Sequence, residues 1–431
     1  MNLEYFIARK VASSGKHSFS RLILRIAIIA VAMSVAVMIC ATALISGFKK
    51  EISSKIFGFW GHIHITDANI NRSLVEIYPI DSRQPFYPDL EDIAEVYYSE
   101  TRSFLGMEYN RTVRTNGGVD HMQVFALKPG IIKARDEIEG IILKGVGLDF
   151  EWSFIEDYIL EGTSLMLEDT SMSSNILISQ QTARRLKVGV DDRFVVHFVE
   201  RGEEVKRRFR VCGIYKTGLE EYDQKFALVD IRQIQMLMDW EDYEVGGFEV
   251  FVEDISDVVP IAEHIYFDIL PDEFYAETIR EKFREIFEWL ELQDINEVVI
   301  LGLMIIVAII NMVTALLILI LERTNMIGIL KSLGTPNWNI RKVFLYYAGY
   351  IIILGLLWGN LLGIGLCVIQ DQFELIKLSE ENYYLNVAPI ALNFWTVLFL
   401  NIGTLIVTLI FLIIPSYMVT RINPVKAIRF K

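Results

Sequence analysis

The chain has 431 residues, and 52% of them are hydrophobic while 22% are charged. A water-soluble protein of even composition rarely combines these two fractions, so we expect apolar and charged residues in separate blocks. The formal net charge of −14 argues against nucleic acid as a partner, because binding to phosphates needs a basic surface.

Four long stretches contain no Asp, Glu, Lys or Arg. A helix needs about 20 residues to cross roughly 30 Å of hydrocarbon, and a charge at mid-membrane costs about 2.5–3.5 kcal/mol. The sequence therefore predicts four transmembrane helices, at residues 26–46, 298–321, 343–369 and 392–420. The first run is longer than the apolar core of a signal peptide, so we expect it to be retained.

The short flanks of these helices predict their orientation. Residues 1–25, 322–342 and 419–431 together hold thirteen Lys or Arg and two acidic residues. Loops rich in Lys and Arg stay in the cytoplasm. Between the four helices, the expected organisation is a cytoplasmic segment 1–25, an external domain 47–297, a cytoplasmic loop 322–342, a short external loop 370–391 and a cytoplasmic tail 421–431.

The external domain alternates short strand-like runs with helical pieces, which predicts a mixed α+β fold. Asn116-Gly117-Gly118 lies between two alternating runs and indicates a hairpin, because these residues accept a positive φ. A second hairpin is expected at 193–199 and 205–215. Further expected elements are a strand at 175–178, a helix at 180–187 capped by Ser179, a strand at 247–252 and a helix near 256–267.

The end of the external domain predicts a helical stalk. Thr278 and Glu281 fit a capping box, and no proline follows before residue 321. One continuous helix over 279–321 would be about 65 Å long, more than twice what the hydrocarbon needs. We expect residues 47–57 to extend the first transmembrane helix likewise. The stalk stripe would consist of Phe283, Phe287 and Leu290.

The cytoplasmic loop carries the pattern of a short helix. Ile327, Leu330 and Lys331 fall on one side of it. Gly334 is placed to end this helix, and Pro336 can begin the next one. A short helix parallel to the membrane is a suitable docking point for a soluble partner, and a plain turn between two spans is the alternative interpretation.

The loop motif Glu322-Arg-Thr-Asn-Met-Ile-Gly-Ile-Leu-Lys-Ser-Leu-Gly334 resembles the coupling segment of FtsX/MacB-type ABC transporter permeases. Other segments resemble the lipoprotein-releasing (LolC/LolE-like) branch of that family, and the similarity covers essentially the whole chain. These segments are Phe6-Ile-Ala-Arg-Lys10, Gly47-Phe48, Gly61-His-Ile-His-Ile65, Glu139-Gly-Ile-Ile-Leu-Lys-Gly145, and Pro415 followed by Arg421-Ile-Asn-Pro424-Val-Lys-Ala-Ile-Arg429.

This resemblance implies a permease subunit of the bacterial inner membrane with no catalytic activity and no cofactor of its own. A separate ABC ATPase would bind ATP and magnesium and push the coupling segment. In keeping with that division, the sequence contains no P-loop motif. The implied coupling residues are Glu322, Arg323, Met326, Gly328, Leu330, Lys331 and Gly334. Met326 departs from the family pattern, which has an acidic residue there.

The resemblance also implies a dimer with a second copy or a paralogue, a lipoprotein as cargo and a periplasmic lipoprotein carrier. Acyl chains would be drawn from membrane lipid into a cavity between the first two spans. The expected lining is Ala36, Cys40 and Leu44 of the first helix with Val299, Leu303 and Ile306 of the second.

Two other functions remain open within the family. One is an FtsX-like regulator of a periplasmic cell-wall hydrolase, whose external domain is typically much smaller. The other is MacB-like efflux, in which the ATPase is usually fused ahead of the first span; here 25 residues precede that span. A membrane enzyme of an unrelated class ranks last, because the sequence shows no catalytic motif.

Gly355, Gly359 and Gly363 form a row on one face of the third span, and such rows let helix backbones approach closely in lipid. Packing within one chain is the favoured interpretation, and a dimer seam is the alternative. Polar residues within the spans are expected to hydrogen-bond between helices; they are Asn311, Asn360 and Asn401.

The remaining candidate residues point to structural roles. His62 and His64 share a strand face near Asp67, but a metal site needs a third or fourth ligand that the pattern does not offer. Cys212 lies in an apolar strand, which favours a core position over a reactive thiol. Cys40 and Cys367 fall in predicted spans, so no disulfide framework is expected in the external domain.

Overall fold

In a computed structural model, the long apolar runs of this chain form long helices and the short alternating runs form β-strands. The structure describes residues 19–69, 78–104, 107–134, 137–200, 202–379 and 385–423. The motifs at 6–10 and 424–429 lie outside those residues. Two compact units result: a helical unit (1–51, 288–377 and 387–431) and an α/β unit (52–287 with 378–386).

In chain order the described helices are α1 Phe19–Trp60, α2 Ser153–Glu156, α3 Gln180–Leu186, α4 Glu220–Lys225, α5 Ile231–Met238, α6 Val258–His264, α7 Ile279–Lys282, α8 Arg284–Glu322, α9 Thr324–Ser332, α10 Asn337–Phe373, α11 Phe394–Ser416 and α12 Met418–Arg421.

The described strands are β1 Ile63–Asp67, β2 Ile80–Asp81, β3 Tyr97–Phe104, β4 Met107–Arg114, β5 Val119–Ala134, β6 Glu137–Val146, β7 Ile159–Gly162, β8 Asn175–Ser179, β9 Arg193–Glu200, β10 Glu203–Tyr215, β11 Phe226–Asp230, β12 Glu244–Val245, β13 Gly247–Val252 and β14 Phe274–Thr278.

The helical unit contains four long apolar helices that overlap the four predicted spans. Helical stretches that are long and apolar enough to cross a membrane occur at Leu22–Trp60, Arg284–Glu322, Asn337–Phe373 and Phe394–Arg421. The first helix continues to Trp60, as the sequence predicted. Its 42 residues correspond to about 63 Å, twice the thickness of the hydrocarbon.

The third long helix packs on the first through its glycine row. A Cβ added at Gly355 would lie 2.6 Å from Val31 Cγ1, and one at Gly359 would lie 2.7 Å from Val35 Cβ and 2.9 Å from the Ala32 carbonyl oxygen. At Gly363 the corresponding neighbour is the Cα of Ala36, at 3.1 Å. Because lipid gives no hydrophobic force between helices, this backbone approach supplies the packing.

A reciprocal amide pair joins the third and fourth long helices. Asn360 Nδ2 donates to Asn401 Oδ1 at 2.6 Å, and Asn401 Nδ2 donates to Asn360 Oδ1 at 2.9 Å. Each amide also donates to a backbone carbonyl of its own helix. Two of the three asparagines singled out in the sequence thus bond to each other across a helix interface.

The α/β unit is built on a ten-stranded mixed sheet with the order β14-β1-β13-β5-β6-β11-β8-β10-β7, and β9 pairs with both β10 and β5. The second of these pairings closes β5, β6, β11, β8, β10 and β9 into a ring. Gly130 lies in β5 beneath this closure, where a Cβ would come within 2.7 Å of Phe198. A glycine there leaves room for β9, so that the long strand β5 pairs with β9 as well as with β6 and β13.

Several locally encoded elements are confirmed. β9 and β10 form the predicted hairpin, with Glu200 opposite Glu203 and Gly202 at φ +83°. Ser179 caps α3 by accepting a hydrogen bond from the Thr182 backbone N–H. Thr278 and Glu281 form the complete capping box of α7.

The hairpin predicted around Asn116-Gly117-Gly118 is wrong. β4 pairs with β3, while β5 pairs with β6 and β13. The backbone N–H groups of this segment donate to side chains far along the chain: those of Asn116 and Gly117 to Asp257 Oδ2, and that of Gly118 to Glu253 Oε2. These remote carboxylates hold the segment as a crossover and not as a two-residue turn.

The predicted helix over 279–321 is interrupted. Phe283 separates α7 from α8 with φ −113° and ψ 42°. Its ring packs 5.8 Å from that of Trp60 and 5.6 Å from that of Tyr222, measured between ring centroids. Aromatic packing within the α/β unit therefore overrides the continuous helical pattern.

A buried charged network, which the sequence analysis missed, lies beneath this aromatic cluster. Glu249 is fully buried, and its Oε1 forms an ion pair with Lys144 Nζ at 2.7 Å while Gln123 Nε2 donates to its Oε2 at 2.7 Å. Lys144 Nζ also donates to the Phe59 carbonyl oxygen at 2.5 Å. Burial alone would raise the pKa of Glu249, but Lys144 and His64 hold that pKa below its usual range.

His64 joins the same network in its neutral form. Its Nε2 lies 2.8 Å from the Trp60 carbonyl oxygen, and Lys282 Nζ donates to its Nδ1 at 2.9 Å. Burial and the charge of Lys282 lower the pKa of His64 to about 4. The network thus joins three elements: the last carbonyls of α1, the sheet and α7.

We expect Gly359→Leu to disrupt the packing of α10 on α1, because the side chain would meet the backbone of Ala32. Overpacking of this kind costs about 1–3 kcal/mol, which should appear as a lower midpoint of thermal unfolding in detergent. Gly365→Leu is the matched control, since no atom lies within 4 Å of a Cβ at that position. Equal midpoints for the two variants would contradict the helix contact.

We expect Lys144→Met to destabilise the α/β unit by about 3–5 kcal/mol, because it leaves the Glu249 carboxylate buried and unpaired. The double variant with Glu249→Gln should recover much of this loss. Hydrogen exchange of β1 and β13 in the full chain measures the effect.

The control for that experiment is Arg210→Met, which breaks the exposed Arg210–Asp191 pair and should cost less than about 1 kcal/mol. A Lys144→Met protein as protected as the parent, or a double variant less stable than the single one, would refute the network.

Candidate functional site

The short helix predicted between the second and third long helices is present as α9. It follows α8 after a single residue, Arg323, and Thr324 Oγ1 donates to the Leu321 carbonyl oxygen at 2.5 Å. Gly334 ends the turn with φ +84°, and Pro336 is the N-cap of α10. The segment is therefore a defined helix between two spans.

The inner face of α9 packs on the helical unit. Ile327 is fully buried, and Met326 and Leu330 are partly buried against the same core. Lys331 Nζ donates to the carbonyl oxygens of Thr420 at 3.0 Å and Ile422 at 2.9 Å. The side of α9 that carries Ile327, Leu330 and Lys331 thus lies against this chain.

The outer face of α9 exposes a different apolar set. Leu333 is 77% exposed, Ile329 53% and Trp338, at the start of α10, 50%. These residues were not among those predicted from the sequence. The available signal was the helical phase: Ile329 and Leu333 are four residues apart, and Ile329 points about 200° away from Ile327 at 100° per residue.

The other predicted coupling residues lie within α9 or beside its two ends. Glu322 is exposed at the end of α8, Arg323 is half-buried, Gly328 is buried and Gly334 is exposed at the turn. Nothing in their placement alone assigns them a contact with a partner.

Arg341 fastens the start of α10 to the end of α11. Its Nη2 donates to the Ile413 carbonyl oxygen at 3.0 Å and its Nε to Ser416 Oγ at 3.1 Å. Its guanidinium also stacks near the rings of Trp338 and Tyr417, at 5.1 and 5.5 Å. Together with Lys331, it ties the loop to the last turn of the fourth long helix.

The predicted cavity lining divides into two groups. Ala36 is buried against Gly363, and Cys40 Sγ lies 4.0 Å from Cys367 Sγ, so both residues face the third helix. The glycine row draws α10 onto this face of α1, which buries Ala36 and leaves Cys40 partly exposed. Leu44 is partly buried.

By contrast, the residues predicted on the second helix form an exposed stripe of α8; they are Val299, Leu303 and Ile306. The exposed stripe of α1 consists of Leu22, Ile26, Ile29, Met33 and Val37. Lys49 on α1 forms an ion pair with Asp294 on α8 at 2.6 Å, which links these two helices.

Cys212 and the two histidines occupy the α/β unit. Burial raises the pKa of the Cys212 thiol to about 11, so the group is protonated at neutral pH. His62 Nδ1 accepts a hydrogen bond from the Val252 N–H, and His64 lies in the charged network. These contacts are structural.

Residues 298–424, from the second span onward, match the family model of the FtsX-like permease C-terminal domain. Relatives extend over nearly the full chain. The lipoprotein-releasing system transmembrane protein LolC of Xylella fastidiosa is 23% identical over 98% of this chain and 97% of its own length. LolC of Neisseria meningitidis is 21% identical over 100% and 98%, and LolE of Haemophilus influenzae is 22% identical over 99% of each.

Among solved structures, the extracellular domain of the noncanonic ABC-type transporter YknZ from Gram-positive bacteria aligns with 50% of this chain and 98% of its own chain. The TM-score is 0.31 and the sequence identity is 12%.

We expect Lys331→Met to loosen α9, because it removes two charge-assisted hydrogen bonds to the Thr420 and Ile422 carbonyls. Hydrogen exchange across residues 324–333 should become at least about tenfold faster, since one such bond contributes about 1.5–3 kcal/mol. Lys342→Met removes a charge from the same loop without touching these carbonyls and should leave that exchange unchanged. Equal exchange in the two variants would contradict the anchoring role of Lys331.

Proposed function

We propose, on the premise that the chain belongs to the FtsX-type ABC transporter permeases, that it is the permease subunit of a lipoprotein-releasing transporter in a bacterial inner membrane. The observation that carries this proposal is the similarity to LolC and LolE over nearly the whole chain. The contacts that anchor α9 on the helical unit are consistent with a subunit that transmits mechanical work and does not catalyse a reaction.

The partner in this proposal is a separate ABC ATPase that binds ATP and magnesium. It contacts the outer face of α9 with the exposed Ile329 and Leu333, and the exposed Trp338 at the start of α10. Apolar and aromatic side chains of this kind anchor protein interfaces when a polar rim surrounds them. Lys331 and the buried Ile327 hold α9 on the helical unit, so a push on α9 moves the ends of the long helices.

The proposed orientation places α9 in the cytoplasm and the α/β unit in the periplasm. Its basis is the charge of the flanks: both termini and the 322–342 loop are basic, while the remaining extramembrane residues are strongly acidic. The short loop at 370–391 then lies on the periplasmic side with residues 47–297.

The proposed cargo is an acylated lipoprotein that enters beside the first two spans. The exposed stripes of α1 and α8 supply the lining, with Met33 and Val37 replacing Ala36 and Cys40. In a dimer with a second copy or a paralogue, these stripes form the walls of the cavity. Extraction of acyl chains works against about 0.8 kcal/mol per buried methylene, which is why ATP hydrolysis must be coupled to it. A periplasmic carrier then receives the lipoprotein.

The experiment that tests this function measures lipoprotein release. Spheroplasts that express this chain with its ATPase should transfer inner-membrane lipoproteins to a soluble periplasmic carrier, and depletion of the chain should stop the transfer. Unchanged release on depletion, with a fall in cell-wall hydrolase activity, would show a regulator of the FtsX kind instead.

We expect Leu333→Asp to reduce permease-dependent ATP hydrolysis at least about tenfold, because it places a carboxylate in the apolar contact. The variant should insert and fold normally, since Leu333 is 77% exposed. Asn337→Asp, an exposed position at the start of α10, is the control and should retain coupling. Full coupling in Leu333→Asp would remove the outer face of α9 as the docking surface.

A further inference from the structure

An unassigned groove lies between the ends of the second and fourth long helices, at the membrane face that carries α9. Its volume is about 620 Å³, which falls within the range of roughly 300–1,000 Å³ typical of ligand sites. The lining is apolar apart from the Tyr417 hydroxyl and the guanidinium of Arg421, and it includes Val313 and Leu317 of α8 with Phe411 and Ile414 of α11.

The depth of the groove matches one leaflet of a bilayer. Val313 is nine residues before the end of α8 at Glu322, a rise of about 14 Å along the helix. Half of the roughly 30 Å hydrocarbon core is about the same length. The deepest lining residue on α8 is therefore about half a hydrocarbon core away from the end of that helix.

The mouth of the groove is positively charged. Arg421 lines it at the end of α12, and Tyr417, which also lines it, lies 5.5 Å from the guanidinium of Arg341. No carboxylate or amide side chain is among the described residues that line the groove. Basic pockets between transmembrane helices suit anionic headgroups, and the fork of an arginine matches a phosphate.

We propose that this groove binds one anionic phospholipid, with an acyl chain along α8 and α11 and its phosphate on Arg421. The apolar lining and its depth match the acyl chain of a phospholipid, and the cationic mouth matches its anionic headgroup. This proposal requires only the four membrane-spanning helices and does not rest on the proposed transport function.

The site has a structural consequence for α9. Arg421 lies in the turn whose Thr420 and Ile422 carbonyls accept the hydrogen bonds of Lys331. A headgroup bound to Arg421 therefore steadies the same turn that anchors α9.

Native mass spectrometry of the full chain in detergent tests the proposal. Phosphatidylglycerol and phosphatidylcholine with identical acyl chains are titrated separately. We expect one phosphatidylglycerol to bind about tenfold more tightly than phosphatidylcholine, and Arg421→Gln to bring it to the phosphatidylcholine level, a change of about 1.4 kcal/mol. Arg25→Gln, which removes an exposed arginine from α1, is the control and should leave the preference unchanged.

Leu317→Trp provides a second arm, because a larger side chain fills the groove and should weaken both lipids alike. Inorganic phosphate in excess should not displace the bound lipid. Equal phosphatidylglycerol affinities of Arg421→Gln and the parent would overturn the headgroup assignment. Absence of bound lipid together with a dimer that Leu317→Trp dissociates would show that the groove is a seam between two copies.

Discussion

The α/β unit depends on the neutralisation of one buried carboxylate. Glu249 lies in β13, an interior strand between β1 and β5, and without Lys144 beside it the desolvation of its charge would oppose folding. The same lysine donates to the Phe59 carbonyl oxygen at the end of α1, and neutral His64 lies against that of Trp60. Carbonyls that a helix end leaves unpaired are thereby satisfied inside the protein, where no water would reach them.

The helical unit is stabilised by different means. In lipid, apolar side chains gain nothing by leaving the solvent, so close backbone contact and polar pairs must hold the helices together. The row Gly355, Gly359 and Gly363 gives the backbone contact with α1, and the amide pair of Asn360 with Asn401 gives the polar link to α11. These contacts use one face of each helix and leave the stripes of α1 and α8 exposed.

The helix α9 between the second and third long helices has two faces with different surroundings. Its inner face is fixed by the buried Ile327 and by Lys331, and its outer face presents Ile329 and Leu333. In the proposed function, this anchored helix receives the push of the ATPase on its apolar side. The turn around Arg421, which holds this anchor, also borders the proposed lipid groove, so the two sites share one structural element.

The sequence by itself determined the features that depend on neighbouring residues or on composition. Charge-free length predicts the four spans, because a single charge in hydrocarbon is costly wherever the helix packs. The capping box at Thr278, the Ser179 cap and the β9–β10 hairpin are closed by side chains or backbone within a few residues, so pattern alone revealed them.

Only the tertiary structure decided the features set by residues distant in sequence. Asp257 and Glu253 turn the Asn116 segment into a crossover, and the ring of Trp60 packs where α7 and α8 separate at Phe283. The partnership of Lys144 with Glu249 spans 105 residues, which no local pattern encodes. At the candidate site, the sequence motif predicted the position of α9. The tertiary structure decided which face of α9 is exposed, because Lys331 donates to the Thr420 and Ile422 carbonyls of a helix end about ninety residues away. Local chemistry specifies elements, whereas the direction in which an element faces depends on what packs against it.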